Sequence, residues 1–258
     1  MHESRLATAA TIVACMYLYC SEYKAKDKLV FVLLLSIGLF SGRSKMYGLF
    51  VLAIFMVSYI NQHFELKFNR KNAILFTIMS VAVLIVAWNK INFYFIQGGI
   101  GNPRDASDYY ARAALYYFSI DVFTEYFPFG SGFATYATFA SGQYYSHIYD
   151  DYGMNILYGL TKSAPSFIAD TYYPALAQFG VVGVVLFFAF WGKLVGITFR
   201  HFTKENLKDF TISILIILFF LIECTSDSTI THNRGLFMMM LLALSLNSLK
   251  ASYNKSLK

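Results

Sequence analysis

The chain contains repeated apolar runs, most of them close to the length that a helix needs to cross a bilayer. About 20 apolar residues span the hydrocarbon layer as an α-helix. Backbone groups in lipid must be hydrogen-bonded internally, and the ten-residue alternation of a β-barrel is absent. The sequence therefore predicts an all-α, polytopic membrane helix bundle of about seven spans: Leu6–Tyr23, Leu29–Phe40, Met46–Ile60, Ala73–Trp88, Ala175–Phe199, Phe210–Ile222 and Leu236–Leu249.

The composition agrees with a lipid solvent. Hydrophobic residues make up 57% of the chain and charged residues only 14%, against about 25% charged residues in soluble domains. The net charge of +6 is divided among short clusters between apolar runs, which indicates membrane topology and no nucleic-acid partner. Cys15, Cys20 and Cys224 lie within apolar runs and are interpreted as packing residues.

Lysine and arginine set the predicted orientation. Basic clusters occur at every second connection, which places them together in the cytoplasm by the positive-inside rule: Lys24–Lys28, Lys67–Lys71, Lys193–Lys208 and Lys250–Lys258. The C-terminus is then cytoplasmic and the N-terminus outside. Because the opening residues lack a signal-peptide layout, we expect further helices upstream of this sequence.

Three regions follow from this topology: membrane helices 1–4 in residues 1–91, a large periplasmic loop in residues 92–173, and membrane helices 5–7 in residues 174–258. The loop is acidic and rich in aromatic residues, so it is predicted to be structured. Within it, Tyr109–Tyr126 is predicted to be an amphipathic helix ended by Pro128 and Gly130.

Five basic residues fall on the outer side, against the orientation bias: Arg43, Lys45, Arg104, Arg112 and Arg234. An arginine fork suits phosphate oxygens, so these residues are candidates for binding a lipid phosphate or pyrophosphate. The alternative for each is a side chain that extends to the lipid headgroups.

Acidic and histidine side chains give further candidates. Asp170 stands at a membrane boundary and is either a general base for a sugar hydroxyl or a helix N-cap. His232 is either part of an outer site beside Arg234 or a capped turn. The pair Asp150 and Asp151 lacks further ligands and is interpreted as a solvated turn rather than a metal site.

The tyrosines of the loop admit two interpretations. They either stack on the faces of sugar rings or form the aromatic belt found at membrane interfaces. Their density in one acidic outer loop favours the sugar interpretation slightly.

Three elements, in this order, resemble motifs of the O-antigen polymerase and O-antigen ligase superfamily of bacterial inner membranes. Ser41–Lys45 is similar to the family's Ser-Gly-x-Arg turn between two helices. Arg112, the helix after it and Glu125–Phe133 resemble the family's arginine, helix and Pro-x-x-G-x-G element. Asp170–Gly183 resembles the ligase element H-[NSQ]-x9-G-x-x-G, which precedes a span.

The resemblance covers most of Leu29–Leu249, and members usually have ten to twelve helices. Ala169 stands where the ligase histidine belongs, with Asp170 beside it. This departure favours polymerisation over ligation.

The resemblance implies transfer of a glycan from undecaprenyl pyrophosphate to the sugar of the next repeat unit, at the periplasmic face and without a metal or a nucleotide sugar. Arg112 would be catalytic together with Asp170, and Arg43, Lys45, Arg104, Arg112 and Arg234 would bind the pyrophosphate. Expected partners are membrane lipid, a chain-length regulator and a repeat-unit flippase. Two alternatives stay open: a ligase that attaches glycan to a lipid or protein, and a non-catalytic transport protein.

Overall fold

A computed structural model describes residues 3–60 and 111–256, together with the single positions 74, 77, 81 and 88. The described residues are 73% helical, and they contain no strand beyond an isolated bridge between Thr161 and Ala164. The all-α prediction is confirmed for this part of the chain. The predicted fourth span, Ala73–Trp88, lies outside the described residues except at those four positions.

Six predicted apolar runs and the predicted loop helix are helical in the structure. Their apolar and alanine-rich sequences favour helix over other structure. The longer helices in the described ranges are α1 (Glu3–Cys20), α2 (Ala25–Ser36), α3 (Ser44–Tyr59), α4 (Ala111–Glu125), α5 (Gly180–Arg200), α6 (Leu207–Glu223) and α7 (Asn233–Ser256).

Two short 3-10 helices adjust the predicted boundaries. Ile37–Ser41 continues from α2 and is closed by Gly42, whose φ of +65° is the left-handed conformation that glycine adopts without strain. Pro174–Phe179 precedes α5, so the α-helix begins at Gly180 and not at Ala175 as predicted. The physical reason is the backbone at Gly180, where φ is +58° and helical geometry cannot pass through.

Among the residues that the structure describes, two helical segments are long and apolar enough to cross a membrane. The segment Pro174–Arg200 has 27 residues and a mean hydropathy of 2.0, and Asn233–Ser256 has 24 residues and a mean hydropathy of 1.4. Only 11% of the most apolar window of the first segment is buried, whereas the core helix of a soluble protein would be mostly covered. Helices α1 and α3 are apolar but shorter.

The described chain divides into two compact units. The first comprises the described residues of Met1–Trp88, Lys193–Ile222 and Thr231–Lys258. Within it, Ser213 Oγ and Ser245 Oγ lie 2.9 Å apart and join α6 to α7 in a buried contact. Lys208 Nζ donates hydrogen bonds to two backbone carbonyls near the end of α1, at Tyr19 and Ser21.

The second unit comprises the described residues of Asn89–Gly192 and Glu223–Ile230. Its hydrophobic core packs the buried face of α4 against the segments that follow it. Tyr136 and Tyr149 are fully buried there and stack with ring centroids 5.9 Å apart. The described part of the predicted outer loop is therefore a packed unit with its own core: Ala111, Ala114, Leu115, Val122, Tyr136, Ala137, Ile148, Tyr149, Met154, Leu157, Leu160, Ile168, Ala175 and Ala177.

Candidate functional site

Two predicted site residues, Arg112 and Asp170, form an ion pair. Nη2 of Arg112 donates a hydrogen bond to Oδ2 of Asp170 at 2.5 Å. The two side chains retain 41% and 34% exposure. Exposed ion pairs contribute about 1 kcal/mol or less to stability, so the fold gains little from this contact. An anionic ligand from solvent can reach the pair.

Helix α4 fixes the position of the arginine. Ala111, Ala114 and Leu115 are buried in the core of the second unit, which holds the helix by its apolar face. The guanidinium carbon of Arg112 lies 5.9 Å from the centre of the Phe167 ring, close enough for a cation–π contact. Its Nε is buried and has no hydrogen-bond partner among the described residues. Nε is therefore not part of the exposed surface of the Arg112 side chain.

Asp170 is held by a turn that the residues after α6 brace. The Asp170 N–H donates to the Phe167 carbonyl at 3.1 Å. Ser228 Oγ donates to the carbonyl of Ala169 at 2.7 Å. The Tyr172 N–H donates to the Cys224 carbonyl at 3.1 Å. The backbone on both sides of the carboxylate is thus tied to residues more than fifty positions later in the chain.

Tyr116 is a member of this site that the sequence did not single out. It stands four residues after Arg112 on α4, and residues at this spacing share one helix face. Its hydroxyl donates to the Thr225 carbonyl at 2.7 Å. Burial and the nearby ionisable groups of Tyr173 and Cys224 raise the pKa of Tyr116 well above 10. The phenol is therefore neutral at physiological pH and keeps the proton that it donates to the Thr225 carbonyl.

Tyr173, three residues after Asp170, is a second tyrosine whose pKa is raised. Burial, and then the nearby Cys224, raise the pKa of Tyr173 to about 12. Arg112 and Asp170 together combine a cation with a carboxylate. A cation suits phosphate oxygens, and a carboxylate can accept the proton of an alcohol.

The two glycine elements noted in the sequence are in direct backbone contact. The Gly132 N–H donates to the Gln178 carbonyl, and the Val181 N–H donates to the Pro128 carbonyl, both at 3.0 Å. A Cβ on Gly130 would lie 2.4 Å from the Gln178 carbonyl oxygen, and one on Gly180 would lie 2.2 Å from the Pro128 carbonyl oxygen. These approaches admit only glycine, so the Pro128–Gly132 turn is locked onto the first turn of α5.

The remaining predicted cations have separate surroundings. Arg43 stands at the N-cap position of α3, directly after the left-handed Gly42, and makes no side-chain hydrogen bond to cap the helix. Its backbone N–H donates to Ser41 Oγ at 3.4 Å. Lys45 lies in the first turn of α3 and is partly exposed. Arg234 Nη1 donates to Ser4 Oγ at 2.7 Å, which ties α7 to α1. All of these residues belong to the first unit.

Four other residues singled out in the sequence are Arg104, His232, Asp150 and Asp151. Arg104 lies outside the described residues. His232 is exposed, and its carbonyl accepts the Gly235 N–H at 2.9 Å at the start of α7. Asp150 and Asp151 are exposed, and Asp150 accepts a hydrogen bond from Asn155. Across residues 3–60 and 111–256, no group of three or more His, Cys, Asp or Glu side chains is placed to hold a metal.

Some tyrosines fit neither interpretation that the sequence allowed. The Tyr136 hydroxyl donates to the Leu115 carbonyl at 2.7 Å, and the Tyr149 hydroxyl accepts the Ala137 N–H at 2.8 Å. Both side chains are inside the core and organise the backbone of the second unit. Composition alone did not separate these core tyrosines from surface ones such as Tyr117, which is 53% exposed.

Comparisons with known protein families, with curated proteins and with solved structures found no match to this chain.

Proposed function

We propose that this protein polymerises oligosaccharide repeat units of a bacterial surface polysaccharide, using units linked to undecaprenyl pyrophosphate at the periplasmic face of the inner membrane. The single observation that carries the proposal is the pairing of Arg112 with Asp170 at 2.5 Å. The residue pattern assigned these two side chains to the donor's phosphate and to the acceptor's hydroxyl. Their proximity is what a transfer between the two substrates requires.

The reaction exchanges one carbon–oxygen bond for another. A hydroxyl of the acceptor sugar attacks the anomeric carbon of the donor glycan, and the bond from that carbon to the pyrophosphate oxygen breaks. Undecaprenyl pyrophosphate leaves with the electron pair. Asp170 accepts the proton of the hydroxyl, and Arg112 stabilises the negative charge that develops on the leaving diphosphate.

The ion pair also suggests how the base is released. A diphosphate carries more negative charge than a carboxylate and offers more acceptor oxygens. When it binds Arg112, it competes with Asp170 for the same guanidinium. The carboxylate is then free to take a proton from the acceptor. In this scheme the contact between Arg112 and Asp170 belongs to the resting enzyme, and substrate binding opens it.

Arg43, Lys45, Arg104 and Arg234 stay sequence-based predictions of diphosphate-binding residues in this proposal. The lipid tail of the donor would lie among the membrane helices, in a multi-pass protein with a cytoplasmic C-terminus. A repeat-unit flippase would supply the substrate, and a chain-length regulator would act on the product.

The test is complementation of a strain that lacks the gene. The native chain and Lys162→Ala, which removes an exposed cation of the second unit, should both restore long polysaccharide. Arg112→Ala should leave single repeat units on the acceptor. Full-length polysaccharide in both Arg112→Ala and Arg43→Ala cells would remove these residues from the mechanism. Accumulation of lipid-linked polymer would instead identify a ligase.

A further inference from the structure

Three phenylalanines in one short loop of the second unit have largely exposed side chains. Phe127 is 63% exposed, Phe129 is 77% exposed and Phe133 is 82% exposed. All three fall within seven residues around the Pro128–Gly132 turn. A cluster of large exposed apolar side chains indicates a surface that binds a partner or a membrane rather than one that faces solvent.

Backbone hydrogen bonds fix the position of this loop beside the first turn of α5. The Val181 N–H donates to the Pro128 carbonyl, and the Gly132 N–H donates to the Gln178 carbonyl, each at 3.0 Å. The ring of Phe133 also lies 6.1 Å from the ring of Phe179, the residue immediately before α5. The loop therefore cannot lie more than a few ångströms from the first turn of that helix.

The first turn of α5 marks the start of an exposed apolar surface. Val182, Val185 and Leu186 are 51%, 58% and 64% exposed. Helix α5 has 21 residues, which at 1.5 Å per residue is about 30 Å, the thickness of the hydrocarbon layer. A helix of this length that crosses the bilayer has its ends at the two boundaries of that layer. A loop bonded to its first turn then lies at the boundary between hydrocarbon and headgroups.

We propose that Phe127, Phe129 and Phe133 form a lipid-docking loop, through which the second unit inserts aromatic side chains into the outer boundary of the bilayer beside α5. The ligand is the lipid surface itself. Phenylalanine lacks a polar group, so its ring is stable on the acyl side of the headgroups, where the neighbouring α5 surface is also apolar. This assignment depends on α5 crossing the membrane and is independent of the proposed glycan transfer.

The experiment places a tryptophan in the loop of the full chain and measures its depth. Phe129→Trp is reconstituted in phosphatidylethanolamine and phosphatidylglycerol vesicles with brominated acyl chains, and the fluorescence of the native chain is subtracted as the background from Trp88 and Trp191. The matched control is Asp151→Trp, at an exposed acidic position of the same unit. We expect shallow bromines to quench Phe129→Trp at least about threefold more than Asp151→Trp, with the reverse order for aqueous iodide.

A second variant, Phe133→Trp, provides the same readout if Phe129→Trp does not reconstitute. Iodide quenching of both loop tryptophans, without quenching by brominated lipid, would overturn the proposal. Polysaccharide synthesis does not enter this measurement. Lipid contact in a protein that makes no polymer would support the loop and reject the glycan transfer, and the converse result would do the opposite.

Discussion

Arg112 and Asp170 are 58 positions apart in the chain, yet Nη2 of one donates to Oδ2 of the other at 2.5 Å. Helix α4 carries the arginine, and a turn braced by Ser228 and Cys224 carries the aspartate. Because both side chains are partly exposed, the pair contributes little to stability and is open to a competing anion. Its chemistry, rather than its contribution to folding, is the property to test.

Exchanging the two charges separates a structural pair from a functional one. In Arg112→Asp combined with Asp170→Arg, the ion pair can re-form, but the guanidinium now extends from the turn and the carboxylate from α4. We expect near-native thermal stability in detergent, within about 1 kcal/mol, and loss of long polysaccharide in complemented cells. Recovery of both stability and polymer would show that the pair only ties α4 to the turn.

The contact between the two glycine elements should tolerate no side chain. In Gly130→Ala, a new Cβ would meet the Gln178 carbonyl oxygen and the Gly180 nitrogen at 2.4 Å, at a residue with φ of +80°. We expect destabilisation of about 2–5 kcal/mol, from a strained backbone and from overpacking. Thermal unfolding in detergent measures it.

Gly153→Ala is the matched control for this glycine contact. Gly153 also has a positive φ, of +65°, but its Cβ would meet no atom within 4 Å. The Gly153→Ala variant should be destabilised only by the strain of a positive φ, by about 1–2 kcal/mol. Equal losses in the two variants would mean that the approach of Pro128–Gly132 to α5 is looser than described.

The buried phenol of Tyr149 should be essential to the second unit. Its hydroxyl accepts the Ala137 N–H at 2.8 Å and lies 2.7 Å from Ser141 Oγ. Tyr149→Phe leaves that N–H unsatisfied, which costs about 1–3 kcal/mol. Tyr158→Phe, at a tyrosine that is 76% exposed, should change stability by about 0.5 kcal/mol or less. Thermal unfolding of the two variants side by side measures this difference. Equal stability would contradict the buried hydrogen-bonding role of Tyr149.

Sidedness is tested by labelling single cysteines. With Cys15, Cys20 and Cys224 replaced, Lys162→Cys introduces an exposed thiol in the second unit and Lys255→Cys introduces one near the end of α7. A membrane-impermeant maleimide should label Lys162→Cys in intact spheroplasts, and Lys255→Cys only after permeabilisation. Labelling of Lys162→Cys solely from the cytosol would place Arg112 and Asp170 on the wrong face for the lipid carrier.

The helices were predictable because the length of each apolar run can be read directly from the sequence. Leu236–Leu249 lies inside α7, and Met46–Ile60 nearly coincides with α3. The start of α5 was displaced because apolar length carries no information on backbone conformation. The positive φ at Gly180 arises from its contact with the Pro128 turn, a partner some fifty residues earlier.

The site was predictable in its charged members and not in its neutral ones. Arg112 and Asp170 were identified because the predicted topology puts the arginine in the large outer loop, against the orientation bias, and the aspartate at a membrane boundary. Tyr116 did not, because it is one tyrosine among 20, and its role depends on the Thr225 carbonyl, 109 positions later. Only its spacing of four residues from Arg112 gave a signal.

Binding of a lipid diphosphate tests the central claim most directly. Farnesyl diphosphate is titrated into the full chain purified in detergent, with farnesol as the ligand that lacks phosphate. Arg112→Ala should weaken binding by about tenfold or more, since a charge-assisted hydrogen bond to phosphate contributes about 1.5–3 kcal/mol. Lys162→Ala should bind like the native chain, and Asp170→Asn should bind no more weakly, because it frees the guanidinium. Equal affinity of Arg112→Ala and the native chain would contradict the account.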